Sequence, residues 1–129
     1  MASIFSRIIA GEIPCHKIAE NDKFIAFLDV NPLAEGHTLV VPKIEVDYIF
    51  DLDRAYLAEI NIFAQEVAAK LKAAVPCKRI GIAVIGLEVP HAHMHLVPLQ
   101  HVSDINFERP KMTPTQEELA NVAQRILGA

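Results

Sequence analysis

Apolar Ile4, Phe5, Ile8 and Ile9 fall on one side of a short segment that Gly11 closes, which predicts a helix over 4–11. Pro14 then starts new geometry. Strand-like stretches at 17–20 and 24–29 flank a polar Asn21-Asp22 pair and predict a β-hairpin. In the second arm Phe24, Ala26 and Leu28 alternate with Ile25 and Phe27, so both of its faces are expected to be buried. The run His37-Thr38-Leu39-Val40-Val41, stopped by Pro42, gives a third strand. Behind Asp53, a suitable N-cap, Tyr56, Ile60, Phe63, Val67, Leu71 and Val75 recur at steps of three or four. This predicts one long helix over 53–75, ended by Pro76. Residues 79–85, with Ile80, Ile82 and Val84 alternating, and 91–99 supply a fourth and a fifth strand. Thr113-Pro114-Thr115, followed by Gln116 and Glu117, opens a last helix to Gly128.

The order β-β-β-α-β-β has neither the alternation of a doubly wound fold nor a Gly-rich phosphate loop after a strand. It predicts an α+β domain of about five antiparallel strands, with one long helix and short flanking ones, over 1–129 without a linker. Composition narrows the function. With 52% hydrophobic residues in 129 the chain can bury a core, and a net charge of -4 argues against binding nucleic-acid polymers. Two widely spaced cysteines, Cys15 and Cys77, suit a reducing compartment better than a disulfide framework. Arg7 and Glu12 interrupt any leader-like run, and no apolar stretch reaches the ~20 residues of a membrane span. The expected location is the cytoplasm.

The chemistry concentrates in His91, His93 and His95. On a strand their i, i+2, i+4 spacing puts three imidazoles on one face and Ala92, Met94 and Leu96 on the other. Each buried ring brings a donor and an acceptor that need partners, so three in register make a poor core. Metal binding needs imidazole nitrogens about 2.0–2.1 Å from one ion, yet the first and third Cα atoms lie ~13 Å apart on an extended strand. Two of them with a remote ligand such as His37 or a cysteine leave zinc open as an alternative. Nucleophilic catalysis suits the array better: one imidazole attacks, a neighbour orients it, and other donors stabilise the anion. A phosphoryl centre is a natural target for imidazole near neutral pH.

The stretch Gly86-Leu87-Glu88-Val89-Pro90-His91-Ala92-His93-Met94-His95-Leu96-Val97-Pro98 resembles the signature of the histidine triad family. Upstream, Ile4-Phe5 with Ile8-Ile9, Gly11-Glu12-Ile13-Pro14, Phe27-Leu28-Asp29-Val30-Asn31-Pro32 and Gly36-His37-Thr38-Leu39-Val40-Val41-Pro42-Lys43 are similar to that family's landmarks, which together cover 4–98. The resemblance implies the purine-nucleotide-binding branch, its antiparallel fold, no cofactor and a homodimer joined across a sheet edge. It makes His93 the nucleophile at the α-phosphorus, His91 and His95 the flanking members that orient it and contact phosphate, and His37 a supporting fourth histidine. Asp29 and Val30 would receive the ribose, while Phe5, Ile8, Phe27 and Leu39 are candidate walls of the base pocket. Glu88 is added as a carboxylate close enough to tune a histidine, with a plain surface role as its alternative. The implied activity is hydrolysis of an adenosine 5'-phosphoramidate or adenylyl conjugate. A nucleotide-binding scaffold with weak activity and a dinucleoside polyphosphate hydrolase remain as alternatives.

The chain also departs from that pattern. Leu87 stands where the branch commonly carries a Gln amide for the phosphate, and the 79–83 stretch lacks the usual upstream Asn. Metal-bound relatives carry Cys-x-x-Cys where this chain reads Ser3-Ile4-Phe5-Ser6, and no His follows Pro42-Lys43. Serine hydroxyls are poor zinc ligands, so no metal ligand is assigned. For the dimer, Leu57, Ile62 and Ala64 are expected to add apolar surface to the long helix.

Overall fold

A computed structural model describes residues 2–129; Met1 of the expected domain lies outside them. The elements in chain order are α1 (Ile4–Ile9), β1 (Lys17–Glu20), β2 (Phe24–Leu28), β3 (Thr38–Pro42), α2 (Arg54–Ala74), β4 (Arg79–Ala83), β5 (Met94–Leu99) and α3 (Gln116–Leu127). Single 3-10 turns at Ile49–Asp51 and Val102–Ile105 complete the chain. The strands form one antiparallel sheet in the order β1-β2-β3-β5-β4, the α+β arrangement that the sequence predicts.

Alternation on β2 decides which core each residue enters. Phe24, Ala26 and Leu28 join Val40, Met94 and Leu96 against the apolar stripe of α2, with Ile60, Phe63, Val67 and Leu71, and against α3. Ile25 and Phe27 point the other way, with Leu39, Val41 and Phe5 of α1. The sheet is thus covered on both faces, which is why every residue of β2 and β3 is buried. Asp53 caps α2 by accepting the Tyr56 N–H at 2.8 Å, a contact worth about 1 kcal/mol. Thr115 and Glu118 close a reciprocal capping box on α3, so that helix starts at Gln116, later than 113.

Several boundaries move. The fourth strand ends at Ala83, and the fifth starts at Met94, so His91 and His93 precede it. The cause is the facing segment of the same chain: the Ala92 N–H goes to Val46 O at 2.7 Å, beyond the end of β3, where the regular ladder has already stopped. Alternation nonetheless persists, with Ala92 in the α2-side core along with Met94 and Leu96. Ala64 and Leu57 also pack into that core, because they lie on the flanks of the α2 stripe; only Ile62 of the three is exposed, at 57%. Among the described residues no helix is long and apolar enough to cross a membrane.

Candidate active site

The central strands carry the site. Gly36 turns the chain into β3 at φ +91°, and a Cβ there would sit 2.9 Å from Val75 Cγ2, so both backbone and packing require glycine. His37 follows and is buried. The Leu33 N–H, which can only donate, meets His37 Nδ1 at 3.0 Å. In a neutral ring this places the His37 proton on Nε2, from where it is donated to His95 Nδ1 at 3.0 Å. His95 is then left with its proton on Nε2. Among the described residues that nitrogen has no partner, and it is not a buried orphan, so it is open to solvent.

A second chain of bonds fixes the other pair. His93 Nδ1–H donates to the His91 carbonyl at 2.7 Å, which leaves the lone pair on His93 Nε2. His93 Nε2 is likewise open. Both nitrogens of His91 are occupied: Nε2–H donates to Pro42 O at 2.8 Å, and Nδ1 meets Ser3 Oγ at 2.7 Å. His91 is fully buried, so its ring has no free edge to offer a phosphate. The site therefore exposes one lone pair and one N–H, on His93 and His95, whose ring centroids are 4.9 Å apart.

Burial keeps the His37, His93 and His95 rings neutral. It lowers His37 to about 4 and His95 to about 3, and in the latter the His37 ring adds to the effect. His93 is also lowered by burial, against the upward pull of the His91 carbonyl. Burial raises the Asp29 carboxyl, whose Oδ1 accepts the Asn31 N–H at 2.9 Å; its Oδ2 lies 3.7 Å from His37 Nε2.

The structure brings Phe5, Ile8, Phe27 and Leu39 into one apolar cluster on the triad face. Phe5 packs edge-on against Phe27 at 5.7 Å and His93 at 4.9 Å, and Leu39 sits opposite His95 in the ladder. Val30 is exposed beside Asp29. Glu88 is exposed too, and its charge reaches Asp29 and His93. Leu87 is 88% exposed and offers no side-chain donor. Sequence reasoning missed Phe107, which stands edge-on to His95 at 4.5 Å and to His37 at 6.1 Å. It also missed Lys111, whose charge reaches Asp29, His37 and His95. Neither sits in a local pattern; the segment is held by the Met112 N–H on Pro32 O at 2.9 Å.

Residues 10–102 match the HIT domain family. The adenosine 5'-monophosphoramidase of Saccharomyces cerevisiae is 34% identical over 75% of this chain and 62% of its own. A crystallised HIT-like protein involved in cell-cycle regulation, from Bartonella henselae, superposes with a TM-score of 0.84 at 30% identity, covering 98% of this chain and 95% of that one. A zinc-bound histidine triad family protein of Mycobacterium smegmatis superposes with a TM-score of 0.83 at 26% identity, covering 99% and 94%.

That last likeness makes zinc worth testing against the side chains. Asp29, His37 and His95 bring three potential ligand atoms within 4.8 Å of one another. The Leu33 N–H, however, keeps the proton on His37 Nε2, the nitrogen that faces the other two groups. At Ser3 and Ser6 hydroxyls stand in place of thiolates, and both His91 nitrogens are committed. Neither set fits a resident zinc ion as it is bonded.

Proposed function

Because the chain belongs to the HIT family, a superfamily of nucleotide hydrolases and transferases, we propose that it hydrolyses adenosine 5'-phosphoramidates or related adenylyl conjugates at the α-phosphorus. The observation that carries this reading is the pairing of an exposed His93 Nε2 lone pair with an exposed His95 Nε2–H. A purine nucleotide binds with its ribose at Asp29 and Val30 and its base along Phe5, Ile8, Phe27 and Leu39. His93 Nε2 attacks the phosphorus, a bond to nitrogen forms, and the bond to the leaving amine breaks. The amine departs with the electron pair and takes a proton from the solvent side of the site, beside the His95 N–H. His91, through its carbonyl, stabilises the charge that His93 gains. Water then attacks the phosphorus, His93 recovers its lone pair, and the water proton returns to solvent. No cofactor enters these steps.

The named yeast relative supports the choice of phosphoramidate. Side-by-side rates on adenosine 5'-phosphoramidate and diadenosine polyphosphates test it, with the phosphoramidate expected to be the faster. Faster cleavage of the polyphosphates would move the assignment to that class. The exposed Leu87 favours a second reading, a nucleotide-binding protein of low activity, which tight binding without turnover would support. We also propose a homodimer across β4, an edge strand that exposes Ile82 and is followed by exposed Val84 and Ile85. A monomer by light scattering would remove it.

A further inference from the structure

The His91 ring is held by groups from segments far apart in sequence. Glu45, after β3, accepts the Ser3 N–H at 2.7 Å and the Ser6 hydroxyl at 2.6 Å through the same Oε1. Its carboxyl is held down at about 2 by these bonds, so it stays an anion that can only accept. The Ser3 oxygen accepts the Ser6 N–H at 3.0 Å as the cap of α1. With those directions taken, the Ser3 hydroxyl hydrogen is left for His91 Nδ1, and the opposite nitrogen donates to Pro42 O. The Ser6 oxygen also stands 3.4 Å from His91 Nδ1, farther than its 2.6 Å bond to Glu45, so the shortest bonds give the Ser6 hydrogen to Glu45 and the Ser3 hydrogen to His91. The His91 backbone carbonyl is thereby fixed where it receives the His93 N–H.

We propose that Ser3, Ser6 and Glu45 form a metal-free clamp that locks His91 and, through the His91 carbonyl, aims the lone pair of His93. The proposal rests on the reading of His93 as nucleophile. These three are positioning residues: none reaches His93 itself, and each acts through His91. The clamp also ties α1, which carries Phe5, to the triad, so the wall of the apolar cluster and the nucleophile are set together. A misplacement of about 1 Å at a reacting atom is enough to slow a reaction ~100-fold.

Two measurements test it on the full chain. In the first, the protein is incubated with zinc, desalted and assayed for metal; far less than one ion per chain is expected. Retention of about one zinc per chain that Ser3→Ala abolishes would overturn the metal-free clamp. In the second, 15N NMR of the imidazoles reads the tautomers without any substrate. Wild type should hold His93 as a single Nδ1–H form, while Ser3→Ala and Glu45→Ala should mix its tautomers. Their kcat should fall by about 10- to 100-fold with KM changed less than about twofold, and Ser3→Thr should restore both. Glu45 is exposed, so its truncation leaves the core intact should Ser3→Ala fold poorly. A single His93 tautomer in both variants, with wild-type kcat, would overturn the clamp. Mixed tautomers in the variants of a protein whose wild type cleaves no phosphoramidate would uphold the clamp's geometry and reject the nucleophile reading instead.

Discussion

His37 Nε2 lies 3.0 Å from His95 Nδ1, and this one contact determines that the accessible nitrogen of His95 carries a proton. The determination begins further back, at the Leu33 N–H, and passes through two rings before it reaches the surface. A neutral imidazole has one donor and one acceptor, so fixing the first atom fixes the last.

Removing the middle ring should therefore damage the chemistry. His37→Ala is expected to lower kcat for the phosphoramidate by about 10²-fold, as loss of an oriented hydrogen-bond donor to the developing charge does. Steady-state rates check it, and an unchanged kcat would break the tautomer relay.

Phe107 covers His95 edge-on and contributes to the burial that lowers its pKa to about 3. Phe107→Ala admits water to the ring and should move the His95 titration upward toward the ordinary 6.5. A proton NMR titration of the imidazole reads it directly; an unmoved midpoint would assign the burial to other groups.

Acid should destabilise the fold before its carboxylates titrate. Unfolded, His37 and His95 take up protons as the pH falls through 6.5, whereas in the fold they resist until about 4 and 3. Stability present above pH 6.5 is thus lost progressively below it, by a few kcal/mol at pH 5. Glu20 and Glu45, both lowered to about 2 from 4.5, add their losses only at lower pH. Asp29, raised by burial, works in the opposite sense, as one group against three, since His93 is lowered as well. Urea unfolding at pH 7 and pH 5 measures the difference, and equal stabilities would contradict buried neutral histidines.

Leu87 provides a gain-of-function test. Leu87→Gln adds an amide donor at an exposed position four residues before His91 and should raise kcat/KM by about 10-fold or more, since a single well-aimed donor is worth ~10²–10³. A flat response would mean that another group already neutralises the phosphate, with Lys111, whose charge reaches His95, as a candidate.

Much of this was legible in the chain because it is periodic. The two-residue alternation of β2 and the three-and-four spacing of α2 state their own burial, and the His-x-His-x-His run announces three rings on one side. What periodicity overstated was the strand itself: the ladder begins only at Met94, since the Ala92 N–H is drawn off to Val46. The Ala64 side chain was misplaced because a helix flank and a helix back differ by a few tens of degrees, which only packing against α3 and the sheet resolves. Ser3 and Glu45 meet from 42 positions apart and Ser3 and His91 from 88, distances over which no local pattern speaks. Phe107 follows a 3-10 turn in a stretch without repeat, and only the fold carries it to His95.

In the proposed reaction His93 Nε2 becomes covalently nucleotidylated. Mixing the protein with adenosine 5'-phosphoramidate, quenching in base to protect the phosphorus–nitrogen bond, and mapping peptides by mass spectrometry tests it most directly. One nucleotidyl group per chain is expected on His93, absent from a His93→Ala variant that folds but does not turn over. An adduct on another histidine, or undiminished turnover by His93→Ala, would contradict it.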